Sequence, residues 1–200
     1  MKRRIVPLFL SLAFVTAVQA ADPTIGEAAP DFQCKTVEGA EVQLKEYRGK
    51  TVVLEWTNYD CPFVRKHYST KNMQNLQKEY TERGVVWITI CSSAPGKQGN
   101  YPADKWPEMM EKRGASPTAL VLDVEGTIGR LYDAKTTPHM FVVAADGALV
   151  YNGAIDDNRS WDPKTVDGAN NYVRAALEAV LKGEKPEVSE TKPYGCSVKY

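Results

Sequence analysis

Apolar runs alternate with helical repeats of apolar side chains through the middle of this chain. Residues 51–56 and 85–90 are almost continuously apolar, which is typical of strands covered on both faces. Between the two runs, large side chains recur at helical spacing and Gly84 supplies a stop. The pattern predicts one helix from just after Cys61 to about Arg83, with an inner face formed by Met73, Leu76, Gln77 and Tyr80.

Shorter elements continue the alternation on both sides of this unit. Asp146-Gly147 is a strong hairpin signal, and Glu38-Gly39 indicates a second, N-terminal hairpin. The further predicted elements are strands at 31–35, 41–44, 119–122, 139–144 and 148–151, and helices near 103–113, 127–132 and 166–181. The main order is βαβαβ followed by a ββα unit, which predicts a single α/β domain.

The first twenty residues form a separate unit. Lys2, Arg3 and Arg4 precede an apolar stretch at 5–18, and small residues end it at Ala20, as in a secretory signal peptide. The alternative is a retained N-terminal anchor. We therefore expect a signal peptide at 1–20, a folded domain at 21–182 and a loose C-terminal tail at 183–200. This predicts a periplasmic or secreted protein without stable membrane association after processing, in a compartment where disulfides persist.

Charge and cysteine usage exclude several classes of function. The 25 basic and 25 acidic residues give a formal net charge of zero, so no nucleic-acid partner is expected. The four cysteines lack the paired spacing of a zinc ribbon, and two histidines do not complete such a set. We predict neither a metal nor another cofactor.

One cysteine stands where a buried strand gives way to a helix. Cys61 is followed by Pro62, which suits the first position of a helix because its missing N–H costs nothing there. Unpaired N–H groups and the helix dipole favour a thiolate at such a junction. Arg65, Lys66 and His67 would add to this effect, whereas Asp60 would oppose it.

Four passages carry a resemblance to a known family. They are Ala29-Pro30-Asp31-Phe32 with the turn at 44–50, the run from Glu55 to Arg65 around Cys61-Pro62, Thr136-Thr137-Pro138, and Gly195-Cys196-Ser197 near the C-terminus. With these, the chain resembles the thioredoxin superfamily, in particular secreted redoxins of the AhpC/TSA and peroxiredoxin-like type. The resemblance implies a thioredoxin-like fold with a central mixed sheet flanked by helices and an N-terminal β-hairpin extension. It also implies that Pro138 is cis and faces Cys61, with the backbone of Thr137 free to pair with a substrate.

Two departures from the family affect the expected chemistry. A thioredoxin or TlpA-like reductase has a second cysteine where Val64 stands, so the local dithiol cycle is missing. A typical peroxiredoxin has Thr or Ser three residues before its reactive cysteine, where this chain has Asn58. The resemblance thus implies an exported thiol oxidoreductase but leaves a peroxide or a protein disulfide as its substrate.

Cys196 offers a replacement for the missing partner. In our main hypothesis Cys61 attacks the substrate, Cys196 resolves the product, and a thioredoxin-type or other thiol reductant resets the pair. The alternative is a structural disulfide from Cys196 to Cys34 or Cys91. Otherwise both Cys34 and Cys91 are expected to be core residues.

Other functions and roles stay open at this point. A Sco-like copper-handling protein would use Cys61, His139 and Met140 as ligands, and a non-catalytic binding module would leave Cys61 unreactive. His139 is either an acid or base beside Cys61 or a core residue. We expect His67 on a solvated helix face and all four tryptophans in packing positions.

Overall fold

A five-stranded mixed sheet forms the centre of the protein. The computed structural model describes residues 23–200; the predicted signal peptide lies outside them. Its strands are β3 (Val52–Trp56), β4 (Val86–Cys91), β5 (Ala119–Leu122), β7 (His139–Val143) and β8 (Leu149–Gly153). The strand order is β5-β4-β3-β7-β8, with β3 parallel to β4, β4 parallel to β5, and β7 antiparallel to both β3 and β8.

Two shorter strand pairs flank this sheet. The predicted N-terminal hairpin is confirmed as β1 (Gln33–Lys35) paired with β2 (Glu41–Gln43). At the other end of the chain, β9 (Cys196–Ser197) pairs antiparallel with β6 (Thr136–Thr137). The predicted fold of a mixed sheet with helices and an N-terminal hairpin is therefore confirmed.

Five α-helices cover the sheet in the described part of the chain, and one hydrophobic cluster lies on each of its faces. The helices are α1 (Pro62–Ser69), α2 (Asn72–Glu82), α3 (Trp106–Arg113), α4 (Thr127–Leu131) and α5 (Tyr172–Leu181). Helices α1, α2, α3 and α5 contribute to the cluster that contains Val53 and Trp87, and α4 contributes to the cluster that contains Leu54 and Ile88. Neighbouring strand residues thus face opposite clusters, which is why both central strands are apolar throughout.

The prediction of a single helix up to Arg83 is wrong, because the chain breaks into α1 and α2. Thr70 donates its hydroxyl to the Lys66 carbonyl (2.9 Å), and Lys71 adopts a left-handed conformation with φ 60°. Such side-chain bonds to the backbone compete with the helical ladder. The break turns the chain so that α2 packs against the sheet separately from α1.

The last helix also differs from the prediction, since it begins at Tyr172 rather than near residue 166. Gly168 has a φ of 86°, which is left-handed rather than helical. The helix starts where the Asn171 side chain accepts a hydrogen bond from the Arg174 N–H (2.9 Å). An Asn cap therefore sets the boundary, rather than the apolar pattern.

The C-terminal segment is packed against the domain, in contrast to the loose tail expected from its composition. Tyr194 is buried, and β9 pairs with β6 two residues later. The Tyr200 hydroxyl donates to the Ala134 carbonyl (2.8 Å). We call residues 194–200 the C-terminal strap. None of the helices between residues 23 and 200 is long and apolar enough to cross a membrane.

Two surface expectations are corrected. Trp161 is 65% exposed, whereas the other three tryptophans are buried in the core as expected. His67 is completely buried rather than on a solvated face, because α1 packs that side against other parts of the protein. Its Nδ1 lies 2.8 Å from Asn72 Nδ2, and its Nε2 lies 3.2 Å from the Tyr194 hydroxyl.

Burial holds both histidines neutral. It lowers the pKa of His67 from 6.5 to about 3, helped by the positive charge of Lys66. It lowers the pKa of His139 from 6.5 to about 4, although a hydrogen bond to Asn152 acts in the opposite direction. Between these values and 6.5 the unfolded chain binds protons that the folded protein does not bind.

We therefore expect neither imidazole to titrate between pH 8 and pH 5 in the folded protein. Proton NMR of the two histidines measures this directly. By linkage, each histidine lowers the free energy of unfolding by about 2 kcal/mol between pH 7 and pH 5. A histidine signal that titrates with a midpoint near pH 6.5 would contradict the buried environment.

Candidate active site

Cys61 occupies the residue position directly before helix α1, as its sequence context predicts. Its backbone is extended (φ −71°, ψ 125°), Pro62 is the first residue of the helix, and the Cys61 carbonyl accepts from the Arg65 N–H at 2.9 Å. The Cys61 side chain does not cap the helix itself. Its thiol donates instead to the Thr137 carbonyl at 3.0 Å.

The Thr137–Pro138 peptide bond is cis, which confirms the isomer expected from the resemblance. Strand β7 begins directly after the proline, and His139 pairs with Trp56 in the neighbouring strand β3. Because β3 leads to Cys61 and β7 follows Pro138, this pairing brings the cysteine and the proline loop to the same end of the sheet.

Cys196 lies at the same place through the pairing of β9 with β6. Its register partner is Thr137, whose carbonyl accepts from Cys61. The expectation of a free Thr137 backbone is therefore wrong for this structure, because the chain's own C-terminal strand already pairs with it. The two side chains lie close enough that Cys61 contributes to the raised pKa of the Cys196 thiol. All four cysteines are free thiols, and the one beside Cys196 is Cys61 rather than Cys34 or Cys91.

The Cys61 side chain is completely buried, whereas reactive cysteines are usually partly accessible to solvent. The strap covers it: Cys196 lies against it, and Phe63 from the first turn of α1 packs against Tyr194 with ring centroids 5.9 Å apart. Cys196 is partly exposed. Burial, together with the neighbouring Cys61, raises the pKa of Cys196 from 9.0 to about 12. In this arrangement an external reactant can contact the Cys196 side chain, whereas the Cys61 side chain is covered.

The other two cysteines have the environment of packing residues. The Cys91 thiol lies 3.5 Å from the Ser93 hydroxyl and 3.6 Å from the Gly99 carbonyl oxygen, and burial raises its pKa to about 11. Cys34 is half-buried beside the hydrophobic cluster that contains Leu54 and Ile88, and burial also raises its pKa to about 11. Both are protonated at neutral pH.

His139 does not serve Cys61 as an acid or base in this arrangement. Its Nδ1 accepts from the Lys135 N–H (3.2 Å), and its Nε2 lies 2.8 Å from Asn152 Oδ1. A copper site at Cys61, His139 and Met140 would require at least one of these two imidazole hydrogen bonds to break. Residues 23–200 contain no group of three or more His, Cys, Asp or Glu side chains arranged to hold a metal ion.

Asn58 supports a loop at the position where peroxiredoxins carry Thr or Ser. Its Nδ2 donates to the Gln98 carbonyl (3.0 Å), and its Oδ1 accepts from the Asp60 N–H (2.9 Å). The Asp60 carboxylate in turn accepts from the Tyr101 hydroxyl at 2.8 Å. The side chains of Asn58 and Asp60 are therefore both engaged with the loop around residues 98–101.

A buried polar cluster beside the cysteines was missed from the sequence. Tyr194 donates its hydroxyl to Asp156, and His67 Nε2 lies 3.2 Å from the same hydroxyl. Lys66 donates to the Asn158 carbonyl (2.8 Å), and its Nζ lies 3.6 Å from Asp156. Lys66 and His67 therefore face Asp156 rather than the Cys61 thiol. In the sequence, the only indication of this cluster is Tyr194 itself, a large side chain two residues before Cys196 in an otherwise polar segment.

Burial opposes both charges in this cluster. It lowers the pKa of Lys66, although Asp156 counteracts the effect. It raises the pKa of Asp156, although the Tyr194 hydrogen bond and Lys66 counteract it. Such groups are costly to bury unless they are paired, so the cluster depends on keeping all its members together.

Comparisons with known proteins bear on the family and the fold of the chain. The sequence profile of the AhpC/TSA family matches residues 25–152, which include Cys61 and the cis proline. "Thioredoxin-like protein YneN" of Bacillus subtilis is 32% identical over 126 residues, which cover 56% of this chain and 73% of that protein. "Thiol-disulfide oxidoreductase ResA" of Halalkalibacterium halodurans is 26% identical over 128 residues, 58% of this chain and 72% of that protein.

A solved structure extends the likeness over most of the chain. The crystal structure of an uncharacterized conserved protein from Geobacillus kaustophilus superposes with a TM-score of 0.75 and 27% identity. The match covers 89% of this chain and 93% of that one. The thioredoxin-like fold expected from the four sequence passages is confirmed, and the chain belongs to the AhpC/TSA family of thiol oxidoreductases within the thioredoxin superfamily.

Proposed function

We propose that Cys61 and Cys196 form the redox couple of an exported enzyme for thiol-disulfide exchange. The observation that carries this proposal is that both cysteines meet the Thr137 backbone: the Cys61 thiol donates to its carbonyl, and Cys196 is its register partner in the pairing of β6 with β9. Cys196 takes the part that a second cysteine in place of Val64 would have in a thioredoxin. The backbone of Thr137, before the cis proline Pro138, lies beside both cysteines and positions them for exchange.

The cycle follows from ordinary disulfide exchange. The Cys61 thiolate attacks one sulfur of a substrate disulfide, which forms a mixed disulfide and releases the other sulfur as a thiol after it takes up a proton. Cys196 loses its proton and attacks the Cys61 sulfur, which releases the second substrate thiol and leaves a Cys61–Cys196 disulfide. The substrate gains two electrons and the enzyme loses two. An external thiol reductant returns both cysteines to thiols.

A disulfide is better supported as the substrate than a peroxide. Asn58 is engaged with the loop at the position where a peroxiredoxin would carry Thr or Ser. Relatives such as the protein named ResA are thiol-disulfide oxidoreductases. The partners would be protein disulfides and a thioredoxin-type or other thiol reductant, in the periplasm or outside the cell, as the N-terminal sequence suggests.

Treatment of the reduced protein with oxidised glutathione should join Cys61 to Cys196. Peptide mapping by mass spectrometry under acid quench identifies the pair, because the adjacent thiols close intramolecularly faster than a second glutathione reacts. A parallel sample with one equivalent of hydrogen peroxide separates the two substrate classes. Faster closure with peroxide would favour the peroxidase function instead.

The contrasting result is a stable bond from Cys196 to Cys34 or Cys91, or no protein disulfide at all. The first would make Cys196 structural, and the second would favour a non-catalytic binding module. Cys91→Ser is the matched control, since its thiol contacts Ser93 and Gly99 and its loss should leave the Cys61–Cys196 disulfide unchanged.

The variant Cys196→Ser should trap the reaction halfway. We expect a mixed disulfide between Cys61 and glutathione to accumulate, and multiple-turnover reduction of a disulfide substrate to fall by about tenfold or more, since a tethered thiol has a millimolar effective concentration. Whole-protein mass spectrometry and a coupled turnover assay measure the two effects. Full turnover in Cys196→Ser would remove Cys196 from the cycle.

A further inference from the structure

The backbone before Cys196 passes unusually close to the proline loop. Gly195 has a φ of 144°, and a β-carbon on it would lie 2.7 Å from the Thr137 carbonyl carbon and closer still to its oxygen. Only a residue without a side chain fits there. The same Thr137 oxygen accepts from the Cys61 thiol. Gly195 thus allows the strap to reach the position in which Cys196 meets Cys61.

The residue before Gly195 is held by the buried polar cluster. Because Asn72 Nδ2 approaches His67 Nδ1, the neutral imidazole carries its proton on Nε2 and donates it to the Tyr194 oxygen. Tyr194 then donates its own proton to Asp156. The phenol hydroxyl is therefore fixed from both sides.

The partners of Tyr194 come from the helix that Cys61 begins and from the segment after β8. Lys66 Nζ lies 5.5 Å from the centre of the Tyr194 ring, and the Phe63 ring packs against its side. Asp156 Oδ2 has no hydrogen-bond partner among residues 23–200, so loss of the Tyr194 hydroxyl would leave this buried carboxylate with still fewer donors. Tyr194 consequently couples the strap to α1.

The strap is also fastened after Cys196. The Val198 N–H donates to the Lys135 carbonyl (3.1 Å), and the Lys199 carbonyl accepts from the Ala94 N–H (2.8 Å). Cys196 therefore lies between two attachments. The attachment on its N-terminal side depends on the Tyr194 hydroxyl and on the absence of a side chain at Gly195.

We propose that Tyr194 and Gly195 are positioning residues that hold the Cys196 sulfur against Cys61. They set the effective concentration of one thiol at the other and keep Cys61 covered while both are reduced. This inference rests on the proposed Cys61–Cys196 couple. It extends the couple to the residues that hold the two sulfurs together in a chain with valine, rather than cysteine, at position 64. Neither residue takes part in bond making.

The test is the equilibrium of the full-length protein with reduced and oxidised glutathione. After an acid quench and alkylation, mass spectrometry gives the fraction of protein that carries the Cys61–Cys196 disulfide at each ratio of reduced to oxidised glutathione. The effective concentration of one thiol at the other follows from these fractions. In Tyr194→Phe we expect it to fall about tenfold or more, the usual effect of losing a hydrogen bond to a charged group. In Gly195→Ala we expect at least the same loss, because the added carbon displaces the strap. Alkylation of Cys61 in the reduced protein should become faster in both.

Matched controls separate positioning from general destabilisation. Tyr132→Phe removes an equally buried phenol hydroxyl that donates to the Pro30 carbonyl (2.6 Å), away from the strap. Gly183→Ala adds a methyl group at a φ of 77°, where no atom of the described residues other than its chain neighbours lies within 4 Å. Both should keep the wild-type effective concentration, whatever their melting temperatures.

The possible outcomes separate the redox couple from its positioning. If the wild-type protein forms no Cys61–Cys196 disulfide, the proposed function is wrong and this inference falls with it. If the wild type forms it but Tyr194→Phe keeps the same effective concentration, the couple stands and the positioning role is wrong. The positioning role is also wrong if the control variants lose as much as the strap variants. If Gly195→Ala does not fold, Tyr194→Phe decides alone.

Discussion

The structure depends most on the antiparallel pairing of the C-terminal strand with the two threonines before the cis proline. This pairing places Cys196 beside Thr137, and the Thr137 carbonyl also accepts a hydrogen bond from the Cys61 thiol. Two cysteines 135 positions apart in the sequence thereby become neighbours without a Cys-x-x-Cys motif. The fold supplies the site for this, because β3 and β7 bring the helix start and the proline loop to one end of the sheet.

The same pairing closes the site. An extended polypeptide would need the edge at Thr136 and Thr137, where the strap already makes the backbone contacts, and Cys61 is fully buried beneath it. The raised pKa of Cys196 keeps that thiol protonated at neutral pH. In the proposed cycle, a substrate reaches Cys61 only after the strap moves. The polar cluster of Tyr194, Asp156, His67 and Lys66 opposes that movement.

Much of the fold is predictable from the sequence because its determinants are local. The buried strands, the Asp146-Gly147 hairpin and the cysteine before Pro62 each combine apolar runs with turn or cap residues. The helix boundaries at Thr70 and Asn171 were missed, since single side-chain hydrogen bonds override the apolar periodicity there. The composition of the tail suggested a loose segment because its contacts are to residues distant in sequence. The site shows the same division: the Tyr194–Asp156 contact joins residues 38 positions apart, and no periodic pattern indicates it.

An experimental structure of the oxidised protein, obtained after equilibration with excess oxidised glutathione, would test the proposed couple without an intermediate assumption. We predict a covalent bond between the sulfurs of Cys61 and Cys196, with β9 still paired to β6 and with Cys34 and Cys91 as thiols. A structure in which Cys196 is bonded to another cysteine, or lies away from Cys61 with both sulfurs unlinked, would contradict the couple.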